Sequence, residues 1–468
     1  MSDEIIDVDV LLRDCHVVAG DLEASLDRLK EFIQPFAALL PRQELRGHGE
    51  DFIRGLLSDV ERKSTEPIAE RAGKVRRPLQ AFIGDSRWDH RPLLAELRRQ
   101  VTVEIGTGNG ILTLDGSAFP KKGNASVGVA RQWCGRLGKM DNCQTGVFLG
   151  YVSNLGHTLV DERLYLPKDW ALDRARREMC HVPKEVKFRT SHELCLEMLD
   201  EARGRLPHGW INGDDVFGSV SWFREALRER GERYLLDIPG SLTVRDAEGC
   251  VPVGGEGRPK KAPYVRAAHW KDTVPAIQWR RIQIRDGVKG PLVVWATRTR
   301  VQTRSNNKRS KAVEWLLVTR TESETPEYRY HLSNAGVDVT LSEMVLAVNA
   351  RYWVEDCFAR AKGRIGMDHY EVRSWSGWHH HMTLSLLALW FLVQEQRCIN
   401  ENTPAMTLQQ SAEAVGILLR DPTVDARKVA SMLTQRLRRT ERVRIDHWRK
   451  FKRIPPRWSI ARSTHVAQ

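Results

Sequence analysis

The 468-residue chain has eight cysteines, none in a CxxC pair, and its fifteen histidines follow no metal-finger spacing. Neither a disulfide framework nor a zinc site is signalled, and the thiols read as reduced and structural. The first residues, MSDEIIDVDV, lack a basic stretch followed by an apolar run, which argues against a signal peptide. The longest apolar stretch, Met382 to Val393, falls short of the ~20 residues that span a bilayer. A cytoplasmic protein without membrane contact is expected. Internal repeats of 20 to 50 residues and low-complexity tracts are absent too, which excludes a solenoid or a disordered chain.

What the chain has is length and positive charge. Its 468 residues exceed the usual span of one core about threefold, so two or three domains are expected. Seventy-three Lys and Arg against sixty Asp and Glu leave a formal charge of +13, with a pI near 9.5. A polyanionic partner follows, nucleic acid before an anionic membrane, since no lipidation motif is present. Charge peaks at the end: Arg436 to Arg457 hold ten basic residues and two acids. There Trp448 and Phe451 interleave with Arg449, Lys450, Lys452 and Arg453, the pattern of a tail that lies along a DNA backbone.

Periodicity divides the chain. Leu22, Leu26, Leu29, Ile33 and Phe36 recur at helical spacing, as do apolar residues within 52–62 and 92–101, so residues 1–105 read as a helical, DNA-binding domain. A linker is expected around Gly73 to Pro78. From Ile111 the texture changes to short β-rich runs, ILTLD, QTGVFLGYV and HTLVDERLYLP, which predict a three-stranded meander. A helix opened by a Thr190/Glu193 capping box follows, then the strand GWINGD, a helix over Val220 to Arg230 and a strand at Arg233 to Ile238. Residues 240–338 read as a β-rich insertion carrying Trp270, Trp279, Trp295 and Trp315. Thr340 with Glu343 then opens a long helix to about Lys362, stopped by Gly363. This element order predicts an α/β protein with an RNase H-like catalytic domain: a mixed five-stranded sheet with helices, in two parts, 106–239 and 339–397, interrupted by the insertion. A helical basic region, 398–468, completes the chain.

A nuclease of that fold needs carboxylates on the first strand, the fourth strand and a late helix, to bridge two magnesium ions about 3.5–4 Å apart. Asp115 ends the run ILTL, Asp214 ends GWING, and Glu355 lies on the long helix. Arg351 and Lys362 sit four residues before and seven after Glu355, offsets that keep all three on one helical stripe. Asp215 competes with Asp214 and is otherwise a cap for the next helix. Asp356 competes with Glu355 but points about 100° away. Asp161, Glu162 and Asp237 read as surface residues or salt-bridge partners. Three consecutive histidines, His379 to His381, cannot all converge on one ion, so a DNA-facing or capping role is expected of them.

The segments LDGSAFPKKG, VARQWCGRLGKMDNCQTGV and GDDVFG, with the spacing Arg-x3-Glu-x6-Lys from Arg351 through Glu355 to Lys362, resemble the DDE transposases of bacterial insertion sequences. Within them the chain resembles most the insertion-sequence 701 group, relatives of the family with a Tyr-Arg-Glu-Lys signature, over roughly Leu56 to Trp390. The signature's tyrosine falls at Val348, a departure. The family pattern of an aromatic and a glycine three and four positions on favours Asp214 over Asp215.

The resemblance implies that Asp115, Asp214 and Glu355 hold two Mg2+ ions, for which Mn2+ substitutes. The enzyme would bind the terminal inverted repeats of its element, cleave phosphodiesters and join the 3′-hydroxyl ends to target DNA. Arg351 and Lys362 would touch phosphates, as would Lys121 and Lys122 after the first strand, while Arg131 and Trp133 would line the mouth of the site. The tryptophans of the insertion would offer a stacking surface for a flipped base. A homodimer is expected on DNA, because two ends must meet, in a protein associated with the bacterial nucleoid. A structure-specific nuclease on the same fold and a non-catalytic, domesticated DNA-binding protein are the alternatives.

Overall fold

The computed structural model describes residues 8–251, 260–305, 308–421, 423–451 and 453–458. The elements used below are, in chain order, helices α1 (Ser25–Ala38), α2 (Gln43–Leu57), α3 (Thr65–Arg71), α4 (Arg76–Gly84) and α5 (Arg91–Ile105), then strands β1 (Ile111–Pro120), β2 (Ala130–Cys134), β3 (Lys139–Ser153) and β4 (Gly156–Leu164). Helix α6 (Ser191–Ala202), β5 (Trp210–Gly213), α7 (Asp215–Gly218), α8 (Ser221–Glu229) and β6 (Tyr234–Ile238) follow. Next come β7 (Thr243–Asp246), β8 (Arg280–Gly287), β9 (Gly290–Ser305), β10 (Glu314–Thr321) and β11 (Tyr328–Ser333). The chain closes with α9 (Leu341–Val348), α10 (Ala350–Arg360), α11 (Trp375–Asn400), α12 (Leu408–Arg420) and α13 (Ala426–Arg449).

One mixed sheet organises these elements. Its first half runs β4-β3-β1-β5-β6, with β4, β3 and β1 antiparallel and β1, β5 and β6 parallel. The sheet is larger than the five strands expected: β11 pairs with β6, and β10, β9 and β7 continue from it; with β2, β8 and two two-residue strands the described residues form thirteen strands in one sheet. The strands of the expected insertion thus extend the sheet that carries the first half. Strand β2, which hairpins onto the start of β3, was not foreseen.

Helix α11 is buried on nearly every side, as its unbroken apolar run requires. It packs on α2, α4 and β4, so the helices of residues 25–105 share one apolar core with the sheet. The expected linker at 73–78 is a single turn: Gly73 adopts φ +63 after α3, and α4 starts at Arg76. The first and last described segments meet, with Val17 N donating to Thr434 Oγ1 at 3.0 Å and Arg457 pairing with Asp14 at 2.6 Å. Among the described residues no helix is long and apolar enough to cross a membrane.

The capping boxes Thr190/Glu193 and Thr340/Glu343 form as expected. The long helix that Thr340 was expected to open does not run unbroken. It divides at Asn349 into α9 and α10, passes into a π-helical turn over Ala361–Ile365, and ends at Gly366 rather than Gly363, in the left-handed conformation glycine tolerates (φ +74). Gly150 lets α10 lie flush on the sheet, since a Cβ there would stand 2.5 Å from Val354 Cγ2.

A buried polar network joins the added strands to the first half of the sheet. Arg224 of α8 donates to Glu314 of β10 at 2.8 Å and to Thr303 of β9 at 3.0 Å, and the Tyr234 hydroxyl of β6 donates to the same carboxylate at 2.6 Å. Arg224 and Glu314 are both excluded from solvent. Glu314→Ala leaves a buried guanidinium without its partner and is expected to cost about 3–5 kcal/mol, read as a lower urea midpoint with unchanged slope.

Candidate active site

The sheet register places the first two candidate acids side by side. On the parallel strands Leu114 is level with Gly213, and Gly213 with Leu236. The next residue on each strand is an aspartate: Asp115, Asp214 and Asp237. Strand β1 does not end at Asp115, as the sequence suggested, but continues to Pro120 against β3 alone. Asp115 is therefore the first β1 residue beyond the pairing with β5, where the sheet opens.

Asp214 is the N-cap of α7: its Oδ1 accepts from Val216 N at 3.1 Å and Phe217 N at 3.4 Å. The capping role considered for Asp215 thus belongs to Asp214, and Asp215 stands exposed as the first helical residue. Gly218 permits this tight turn, because a Cβ there would collide with Asp237 O.

Arg351 on α10 reaches over the aspartate row. Its guanidinium pairs with Asp237 and lies 3.5 Å from Glu355, while Asp237 also binds His331 Nδ1 at 2.6 Å. The Glu355 side chain is 60% exposed. Asp356, by contrast, pairs with Arg360 and lies 3.7 Å from His157.

Charge crowding marks the row. Burial pushes Asp115 up to about 7, with Asp214 and Glu355 adding repulsion and Arg351 opposing it. Burial raises Asp214 as well, against the pull of Arg351. Burial also works to raise Asp237, but His331 and Arg351 hold it below the usual carboxylate range. Four acids around one cation leave an excess of negative charge, and the all-oxygen donor set of Asp115, Asp214 and Glu355 fits hard divalent cations.

Beside the row opens a cleft of about 920 Å3, lined by Asp214, Gly116, Trp133, Arg136, Phe358 and Lys362 among others. Lys362 sits in the π-helical turn, its ammonium 5.2 Å from the Phe119 ring centroid, and burial lowers its pKa. Trp133 is 60% exposed. Arg131, two residues earlier on β2, is exposed on the same strand face.

Other predicted contacts lie elsewhere. Lys121 is turned inward: its ammonium donates to Tyr370 O at 3.0 Å and lies 3.3 Å from the Tyr370 ring centroid, and burial lowers it to about 8. Lys122 is exposed. In the tail, Trp448 is buried and donates to Gly287 O at 2.9 Å, so this residue packs on the β8–β9 hairpin. Arg449, 3.1 Å from Asp446, is exposed with Lys450 and Arg453, while Lys452 lies outside the described residues.

The histidine run is not DNA-facing: His379, His380 and His381 are buried, and Ser374 caps α11, while His380 Nδ1 bonds Ile83 O in the last turn of α4 at 2.9 Å. Trp270 and Trp279 belong to an apolar cluster, and arginines cover Trp295 and Trp315. The sequence reading missed Asp237 as the anchor of Arg351. Its signal was present, since LTLD, WINGD and YLLD each carry an aspartate at the same position along the three parallel strands.

Because Asp115 titrates near 7 when folded and near 3.8 when unfolded, the folded state holds a proton that the unfolded state has lost. Stability therefore falls as pH rises between these values. Asp115→Asn in EDTA is expected to unfold at higher temperature than the native chain at pH 8, by up to about 4 kcal/mol, with the gap closing below pH 4.

Comparison with known proteins gives the family. The family described as DDE superfamily endonuclease matches residues 35–291, more than half of the chain. A relative from Microchaete diplosiphon, named probable transposase for insertion sequence element IS701, is 21% identical over 330 residues, covering 68% of this chain and 74% of its own length. Among solved structures, a piggyBac transposase synaptic complex with hairpin DNA aligns with a TM-score of 0.34 and 10% identity, over 97% of this chain and 87% of that one. The resemblance to insertion-sequence 701 transposases thus holds, and the chain belongs to the DDE superfamily of endonucleases.

Proposed function

We propose that this transposase binds the terminal inverted repeats of an insertion sequence, cuts phosphodiesters there and joins the freed 3′-hydroxyl ends to double-stranded target DNA. The observation that carries the reading is the register of β1 and β5, which brings Asp115 level with Asp214 while Arg351 holds Glu355 toward them. The order β4-β3-β1-β5-β6, antiparallel then parallel, supports an RNase H-like catalytic unit formed by residues 106–239 and 339–397, with 240–338 as its insertion.

Asp115, Asp214 and Glu355 would hold two Mg2+ ions, or Mn2+ in their place. Bound there, the ions supply Lewis acidity for the attacking and leaving oxygens of an in-line displacement. The protein's own part is positioning. Arg351, fixed by Asp237, keeps the Glu355 carboxylate directed at the row, and its charge offsets the repulsion among the acids. Lys362 supplies a cation in the cleft wall, where a scissile phosphate would lie, and Trp133 a flat apolar face at its rim.

Exposed Lys122, Arg131, Arg449, Lys450 and Arg453 supply further phosphate contacts, and Arg438, Arg439 and Arg442 add exposed charge along α13. We assign reading of the element ends to the helices of residues 1–105 and backbone contacts to 398–468. Bringing two ends together calls for a homodimer on nucleoid DNA.

The test is Mg2+-dependent nicking and strand transfer on DNA carrying the element's own ends. Glu355→Gln and Asp115→Asn are expected to lower both rates by about 1000-fold, the several kcal/mol of transition-state stabilisation that a lost metal ligand removes. End binding should persist. Activity that survives either change refutes the assignment of that acid, and preferential cutting of generic branched DNA would favour a structure-specific nuclease.

A further inference from the structure

Outside the cleft, three segments distant in sequence place metal-ligating atoms together. His90 precedes α5, Glu162 lies on β4, and His379 lies in the second turn of α11. Glu162 is excluded from solvent, His379 nearly so, and His90 is mostly buried. Their ligand atoms all lie within 4.8 Å of one another. His379 Nδ1 is 2.9 Å from Glu162 Oε2, and His90 Nε2 is 3.9 Å from Glu162 Oε1. Around a tetrahedral zinc ion with bonds near 2.0–2.1 Å, ligand atoms stand about 3.4 Å apart, midway between these separations.

We propose that His90, Glu162 and His379 form a second metal site, selective for Zn2+, that clamps the amino-terminal helices to β4 and α11.

Two further observations support it. The two imidazole rings stack at 4.5 Å, which holds both in place before any ion arrives. His90 and His379 also line a cavity of about 420 Å3, which gives a water molecule access as the fourth ligand. That cavity shares no lining residue with the cleft beside Asp214.

The donor set separates the two sites chemically. Two imidazoles and one carboxylate favour Zn2+ or Co2+, whereas the all-oxygen set of Asp115, Asp214 and Glu355 suits Mg2+. Asp89 Oδ1, 3.9 Å from His90 Nδ1, stands where a carboxylate orients a ligating histidine.

The probe is Co2+ added to the full-length, metal-stripped chain. One equivalent is expected to give the strong visible absorption of a four-coordinate site with nitrogen ligands, quenched by Zn2+ and not by Mg2+. Asp115→Asn should retain it, and His90→Ala and Glu162→Gln should lose it. His90→Ala provides the control for folding, since this side chain is the most accessible of the three. Its circular dichroism and metal-free melting temperature should match the native chain. Zn2+ should raise the melting temperature of Asp115→Asn, whose other metal site lacks a ligand, and not that of Asp115→Asn combined with His90→Ala. No absorption at one equivalent, absorption that persists in folded His90→Ala, or Zn2+ stabilisation of the double variant equal to that of Asp115→Asn would each overturn the site. None of these readouts depends on transposition, so the clamp and the catalytic assignment stand or fall separately.

Discussion

The guanidinium of Arg351 is the cation around which the candidate active site is packed. Asp115, Asp214, Asp237 and Glu355 all feel its charge, and burial alone would keep the three strand aspartates protonated or apart. Pairing with Asp237 uses one carboxylate to fix the arginine, whose remaining charge steadies the others. Asp237 is in turn held ionised by His331 from β11. The cleft therefore depends on the first strand that extends the sheet beyond β6, as well as on the strands that bear the acids.

That dependence explains why the added strands are tied in so firmly. Arg224, Glu314, Thr303 and Tyr234 form a buried polar cluster spanning α8, β10, β9 and β6. A network of this kind is favourable only when every member is satisfied, so it fixes one arrangement of the strands and penalises any slip. From the other side, α10 is pressed onto the sheet at Gly150, and the π-helical turn carries Lys362 to the cleft wall.

Much of the candidate site was legible in the chain because the three parallel strands share a pattern. LTLD, WINGD and YLLD each carry an aspartate just past the last parallel-paired residues of β1, β5 and β6, where the parallel sheet opens. The caps at Thr190 and Thr340 were equally plain, since a capping box is a local pattern within four residues. Patterns that read as surface behaved differently. Lys121, Trp448 and the histidines 379–381 look polar or DNA-facing in sequence and are enclosed, because their partners Tyr370, Gly287, Glu162, Ile83 and Gly366 come from remote segments.

The sequence by itself determined the local elements, the positions of the three candidate acids and the family resemblance. These depend on periodicity and on residues a few places apart, where backbone geometry alone sets direction. Tertiary structure decided that the insertion's strands extend the same sheet, that Asp237 anchors Arg351, and that His90, Glu162 and His379 converge across 290 positions of chain. Those outcomes follow from strand register and helix packing, in which a contact's energy is realised only once distant segments have been brought together.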